Sequence, residues 1–129
     1  MRVKIGKYPT HRFYHNWLYT RFGYSPKQRV SIKIHKYDTW SMDDTLAPII
    51  LPMLVQLKAT THGFPSVLTE QEWNEILDEM IWAFEQKCRD DWLEDYDYNK
   101  WDSEGVKAHQ ERMTNGFKLF GKYYENLWD

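Results

Sequence analysis

The sequence predicts an α+β fold that is mostly helical, with a small two-stranded sheet packed on three or four helices in the order β-α-β-α-α-α. Three observations carry this expectation. Residues 28–58, QRVSIKIHKYDTWSMDDTLAPIILPMLVQLK, change from strict alternation to a long apolar run at helical spacing. Thr69 and Glu72 in TEQE form a capping box ahead of an amphipathic stretch. A further helical stripe occupies the last quarter of the chain.

Taken in order, residues 3–5 are short and β-prone, and Pro9 ends them. In 11–22, Phe13, Trp17, Leu18 and Phe22 recur at helical spacing, Gly23 suits the position after a helix end, and Pro26 confirms the stop. The same rings would also suit a strand. Residues 29–37 alternate, with Val30, Ile32 and Ile34 on one side and Ser31, Lys33, His35 and Tyr37 on the other. Two strands alone are marginal in water, so this sheet is expected to lie on helices or continue into another subunit of a homo-oligomer.

Ser41 is a candidate N-cap, with Asp43 and Asp44 in the first turn. Leu46, Ile49, Ile50, Met53, Leu54 and Leu57 make the expected core stripe, and Pro52 is expected to kink or break the helix. After the loop ATTHGFPS and the capping box, Trp73, Ile76, Leu77, Met80, Ile81, Phe84 and Cys88 share one face. RDDWLEDYDYNKWD (89–102) reads as a mobile, acidic and aromatic connection. The last helix starts at Asp102 or Ser103, with a stripe of Val106, His109 or Gln110, Met113, Phe117, Phe120, Tyr124 and Leu127. Gly116 and Gly121 each cost about 1 kcal/mol of helix propensity, which close packing or the approach of a ligand would justify.

A chain of 129 residues is most simply one domain, 1–129. Seven Trp, nine Tyr and six Phe are more rings than such a domain can bury, so some are expected at a surface. The net charge of −2 hides an asymmetry: ten Lys/Arg against three Asp/Glu up to Leu68, then seven against sixteen. Either the basic half binds an anion, or the halves attract each other within or between subunits. The lone Cys88 excludes an intrachain disulfide, suits a reducing compartment and reads as a buried small hydrophobe. The N-terminus is polar, unlike a signal peptide, and the apolar run 46–57 is too short to span a bilayer. A cytoplasmic protein is expected.

Four constellations are candidates for chemistry. A basic-aromatic surface collects Arg12, Tyr14 and Arg21, then Lys33 and His35. Cations neutralise phosphate and rings stack on bases, so a compact nucleotide is the expected ligand rather than a long nucleic acid. The corner from His35 through Tyr37 and Trp40 to Asp43 feeds a helix N-terminus, where an anion could sit, but its aspartates also read as plain caps. Carboxylates on helices, chiefly Asp78, Glu79 and Glu111, could hold Mg²⁺ in a nucleotide pyrophosphohydrolase, or merely solvate helix faces. Finally Arg112, Asn115, Lys122 and Tyr123 offer donors for phosphates and base edges. Five scattered His without HxH or HExxH do not form a zinc motif, and neither a P-loop nor a GxGxxG occurs. No cofactor is expected outside the Mg²⁺ alternative.

Three strings, KYDTWSMDDTLAPIILPMLVQLKATTHGFP (36–65), LDEMIWAFEQ (77–86) and QERMTNGFKLFGKYYENLWD (110–129), resemble a family of small uncharacterised proteins of tailed phages. That family's pattern has His where Asp44 stands, which weakens a metal reading of the position. It has no settled catalytic activity, so the resemblance transfers no functional residue. It implies a phage protein made in the cytoplasm of an infected bacterium. The expectation is an accessory protein, not an enzyme, that sequesters a host nucleotide immune signal of the cyclic oligonucleotide or cyclic ADP-ribose type. The alternatives are the Mg²⁺-dependent hydrolase and a protein-binding inhibitor or virion component that uses residues 90–101 as its contact.

Overall fold

The computed structural model describes residues 1–6, 13–23, 28–89, 91–96 and 103–128, the side chains of 13–16 excepted. The chain divides into two compact units, Met1–Trp40 and Ser41–Asp129. The element order is the one the sequence predicts: β1 (Arg2–Ile5), α1 (Phe13–Phe22), β2 (Val30–Lys33), α2 (Met42–Thr60), α3 (Glu70–Cys88) and α4 (Ser103–Lys122), with short 3-10 turns between and after them. The fold is mostly helical α+β.

In the first unit, β1 and β2 pair antiparallel, with Val3 opposite Ile32 and Ile5 opposite Val30. Directly opposed residues share a face, so these four apolar side chains lie together and Arg2 and Lys33 lie on the other side. The alternation read over 29–37 forms a ladder only over Val30–Lys33, because β1 offers four partners. α1 closes at Gly23, whose φ of 64° is left-handed and whose N–H reaches the Tyr19 carbonyl at 2.8 Å. Lys36–Thr39 is a 3-10 turn capped from both sides. The Tyr37 N–H donates to His35 Nδ1 at 3.3 Å, and the His35 N–H donates to the Asp38 carboxylate at 2.7 Å. That bond, aided by the N-terminal ammonium of Met1 at 3.0 Å, holds the Asp38 carboxyl below its usual range.

The second unit is a three-helix assembly with α3 in the middle. α2 runs antiparallel to α3, since Lys58 pairs with Asp78 at one end and Lys87 with Asp43 and Asp44 at the other. α4 is antiparallel as well: Trp73 meets Tyr123, while Trp82 meets His109. The α3 face predicted from its period is the core, where Trp73, Leu77 and Met80 are fully buried. Ala47 and Leu54 cover it from α2, and Met113 and Gly116 from α4. The capping box at its start is formed: the Glu72 N–H donates to Thr69 Oγ1 at 3.2 Å and the Thr69 N–H to Glu72 Oε2 at 2.7 Å.

Several expectations need correction. α2 continues unbroken through Pro48 and Pro52. Both prolines are exposed, so the carbonyls deprived of a partner lie on the solvent side, where water can serve them. Its core stripe is Ala47, Ile50, Leu51, Leu54 and Leu57. Leu46 and Ile49 (each 37% exposed) and Met53 (66% exposed) lie outside it instead. Apolar residues surround this helix, so period alone does not choose its inner face. Cys88, the last residue of α3, is exposed rather than buried. α4 ends at Lys122, and a tighter 3-10 turn follows at Tyr124–Asn126. The Tyr123 N–H still bonds the Leu119 carbonyl at 3.0 Å, so Tyr123 continues the α-helical face of Gly116 and is buried at 8% exposure, while Tyr124 lies outside, the reverse of the predicted phase.

The two α4 glycines differ. A Cβ on Gly116 would lie 2.3 Å from the Ala83 Cβ and 2.8 Å from the Glu79 carbonyl, so the glycine permits the close α3–α4 crossing. Gly121 has nothing within 4 Å. Gly116→Ala should therefore lose about 1–3 kcal/mol to overpacking. Gly121→Ala should gain about 0.4–1 kcal/mol through a less flexible unfolded chain. Paired thermal melts check the opposite signs.

Candidate functional site

The candidates read from the sequence are spread over both units. Arg12 lies outside the described residues, and of Tyr14 only the backbone is described. Arg21 is exposed in the last turn of α1, and Lys33 is exposed on β2. His35 and Tyr37 stack with centroids 5.2 Å apart, with the Lys36 ammonium 5.1 Å from the Tyr37 ring, and Trp40 is 86% exposed. On α4, Asn115 is exposed and the Lys122 ammonium sits 5.0 Å from the Tyr123 ring. Tyr123 itself is spent in the core, edge-on to Trp73 at 5.6 Å.

Arg112 and Glu79, proposed for two different roles, are each other's partners. The guanidinium makes two bonds to the carboxylate, at 3.0 and 2.8 Å, and its carbon lies over Trp82 at 3.8 Å from the ring centroid. That geometry uses the planar fork only arginine has. Arg112 holds the Glu79 carboxyl below its usual range. The other two carboxylates of the Mg²⁺ alternative are paired elsewhere, Asp78 with Lys58 and Glu111 with Lys107 at 3.9 Å. Among the described residues no three His, Cys, Asp or Glu side chains gather as a metal site.

The second unit contains a cleft of about 560 Å³ where the start of α2, the end of α3 and the middle of α4 meet. Leu46, Ile50, Phe84, Met113 and Phe117 form its apolar floor. Asp43, Asp44, Lys87, Arg89 and Gln110 form the polar rim, and Trp92 makes a wall. None of the ligand-binding residues expected from the sequence lines it.

The rim is pre-paired. Lys87 reaches Asp43 and Asp44 at 2.7 Å each, which raises its ammonium above 10.5 and lowers the Asp43 carboxyl below 3.8. From the first turn of α2 these aspartates pin it to α3, while the expected N-cap Ser41 makes no side-chain cap bond. Arg89 binds Asp95 through two nitrogens at 3.1 Å and Asp91 at 3.0 Å.

The wall is the part the sequence misassigned. Residues 91–96, expected to belong to a mobile connection, contain a 3-10 turn, Trp92–Asp95, packed on α4. Trp92 stacks on His109 (4.6 Å, 17°), and the Tyr96 hydroxyl lies 2.8 Å from His109 Nδ1. Trp82 closes the third side at 5.0 Å. Residues 97–101 of the acidic-aromatic segment lie outside the described residues. The signal for the docking was present as an aromatic pair, Trp92 and Tyr96, but its partner is thirteen residues beyond Tyr96.

His109 Nε2 is buried with no hydrogen-bond partner among the described residues. Burial, the largest influence, pushes the imidazole below 6.5. A Trp face attracts a desolvated cation by about 0.5–2 kcal/mol. A buried N–H left unsatisfied costs about 1–3 kcal/mol, and more when charged. Adding the desolvation of the charge itself, the neutral ring wins.

No protein-family model matches the chain, and no curated protein or solved structure matches it either. Among the described residues no helix is long and apolar enough to cross a membrane.

Arg112 keeps 50% and Glu79 35% of side-chain exposure, so their pairing belongs to the weak class. A double-mutant cycle on Arg112→Ala and Glu79→Ala should give a coupling of about 0.2–1 kcal/mol. A coupling several times larger, read from denaturant unfolding, would contradict an exposed pair.

Proposed function

We propose that the chain is a binding protein whose ligand is a compact nucleotide, held in the cleft between α2, α3 and α4 without turnover. The observation that carries this reading is the convergence, in one cleft of about 560 Å³, of an apolar floor, the Trp92 ring, the Gln110 amide and two cations. Pockets of roughly 300–1,000 Å³ with apolar linings and few polar groups are the usual form of small-molecule sites. The apolar floor takes a base, Gln110 can read its edge with both donor and acceptor, and Lys87 and Arg89 face phosphate oxygens.

The charges around the cleft refine the ligand. Lys87 and Arg89 are each already held by two aspartates. A polyphosphate would bring several negative charges among four carboxylates, whereas a cyclic phosphodiester brings one per phosphate. Electrostatics therefore favours a cyclic oligonucleotide or a cyclic ADP-ribose isomer over a nucleoside triphosphate. The resemblance to tailed-phage proteins supplies the setting: sequestering a host immune signal in the cytoplasm of an infected bacterium. The two-stranded sheet supports a homo-oligomer, since among the described residues β1 and β2 pair only with each other and each keeps a free edge.

Thermal-shift titration against cyclic dinucleotides, cyclic trinucleotides, cyclic ADP-ribose isomers and ATP should show stabilisation by a cyclic diester, weaker stabilisation by ATP, and loss of the effect in Trp92→Ala. No shift with any of them would sink the reading. Intact ligand released on heating distinguishes sequestration from hydrolysis.

A further inference from the structure

We propose that His109 is the positioning residue for the outer wall of the cleft: the neutral imidazole holds residues 91–96 against α4, and protonation releases them. This deepens the binding reading, because release would withdraw Trp92 from the site. It is nevertheless a property of the unliganded chain.

The wall is short, held at its start by Arg89, which bonds Asp91 and Asp95, and against α4 by His109. It is one 3-10 turn, Trp92–Asp95, with Tyr96 after it. Its two aromatic side chains both end on His109: Trp92 through the stacked ring, Tyr96 through the 2.8 Å bond to Nδ1. The imidazole does not line the cleft; it stands behind Trp92, which does. A change in the ring is therefore felt by a ligand only through the wall.

The geometry also makes the ring's charge decisive. The Tyr96 hydroxyl can donate to Nδ1 or accept from it, so either neutral tautomer is served there. The unmet atom is Nε2, buried without a partner among the described residues. A neutral ring leaves one polar group unmatched at that point. An imidazolium would have to place a charged N–H there with nothing to receive it.

The surrounding charges do not compensate. Arg112 on the same helix and Arg89 at the start of the wall oppose a cation, and only Asp95 favours one. The Asp95 carboxylate is already bound through both oxygens by Arg89. On the α3 side stands Trp82, with Glu79 beyond it committed to Arg112. Burial sets the direction, below 6.5. The folded ring thus binds fewer protons than the unfolded chain, so the docking it provides is complete above 6.5 and is lost as pH falls below that value. Lys87 lowers the Asp43 carboxyl and the aspartates raise the Lys87 ammonium, so on the opposite rim these two keep their charges while His109 titrates.

Amide hydrogen exchange by mass spectrometry, corrected for intrinsic rates, tests this on the unliganded chain. Between about pH 7.5 and about pH 5, protection over residues 91–96 should fall on the order of tenfold while the centre of α3 stays protected. In His109→Phe, which keeps a flat ring but cannot titrate, that pH dependence should vanish. Should the variant fail to fold, an NMR titration of the wild-type His109 ring decides instead, with a midpoint below 6.5 expected. An equal pH response in His109→Phe, no response in the wild type, or a midpoint at or above 6.5 would overturn the proposal. A negative nucleotide panel leaves these readings unchanged, so the two failures are separable.

Discussion

Everything in the second unit depends on the burial of one face of α3. Trp73, Leu77 and Met80 are sealed between α2 on one side and α4 on the other. Each such side chain contributes about 1.5–3 kcal/mol relative to exposure, and the loss on truncation is larger because a cavity remains. Gly116 lets α4 approach until a methyl group would collide with Ala83. Phe84 then meets both Phe117 and Phe120 edge-on at 5.2 Å, which fixes how far along α3 the last helix sits.

Polar contacts set the register that apolar burial leaves loose. Lys58 with Asp78, and Lys87 with Asp43 and Asp44, tie the two ends of α2 to α3. As exposed pairs they contribute little to stability. Their effect is on position. By pinning the start of α2 beside the end of α3, they leave an opening above Phe84 and Met113 that becomes the cleft. The site is thus a by-product of how the three helices fail to close on one another at that end.

The wall of that cleft shows why the site was hard to read. Gln110, Met113 and Phe117 lie on α4 at a helical spacing that looks like ordinary core and surface. Lys87 and Arg89 look like the charged end of a helix, and the Asp43–Asp44 pair looks like a cap. What distinguishes them is convergence, which has no linear signature. His109 is similar: the sequence offered it as a stripe residue interchangeable with Gln110. In the folded chain three aromatic rings surround it and Gln110 faces the cleft.

By itself the sequence determined what is local. The order of elements, the capping box of Thr69 and Glu72, the helix end at Gly23 and the inner face of α3 all follow from period, propensity and backbone chemistry within a few residues. Only the tertiary structure decided which side of α2 is inside, because that helix is apolar all round and its partner does the choosing. It also decided that Tyr123 rather than Tyr124 is buried, since Tyr123 shares the face of Gly116 that packs on α3 and meets Trp73 there. And it decided that residues 91–96 dock, because the imidazole that receives them stands on another element. Contacts between distant residues are selected by packing, and packing is a property of the assembled helices.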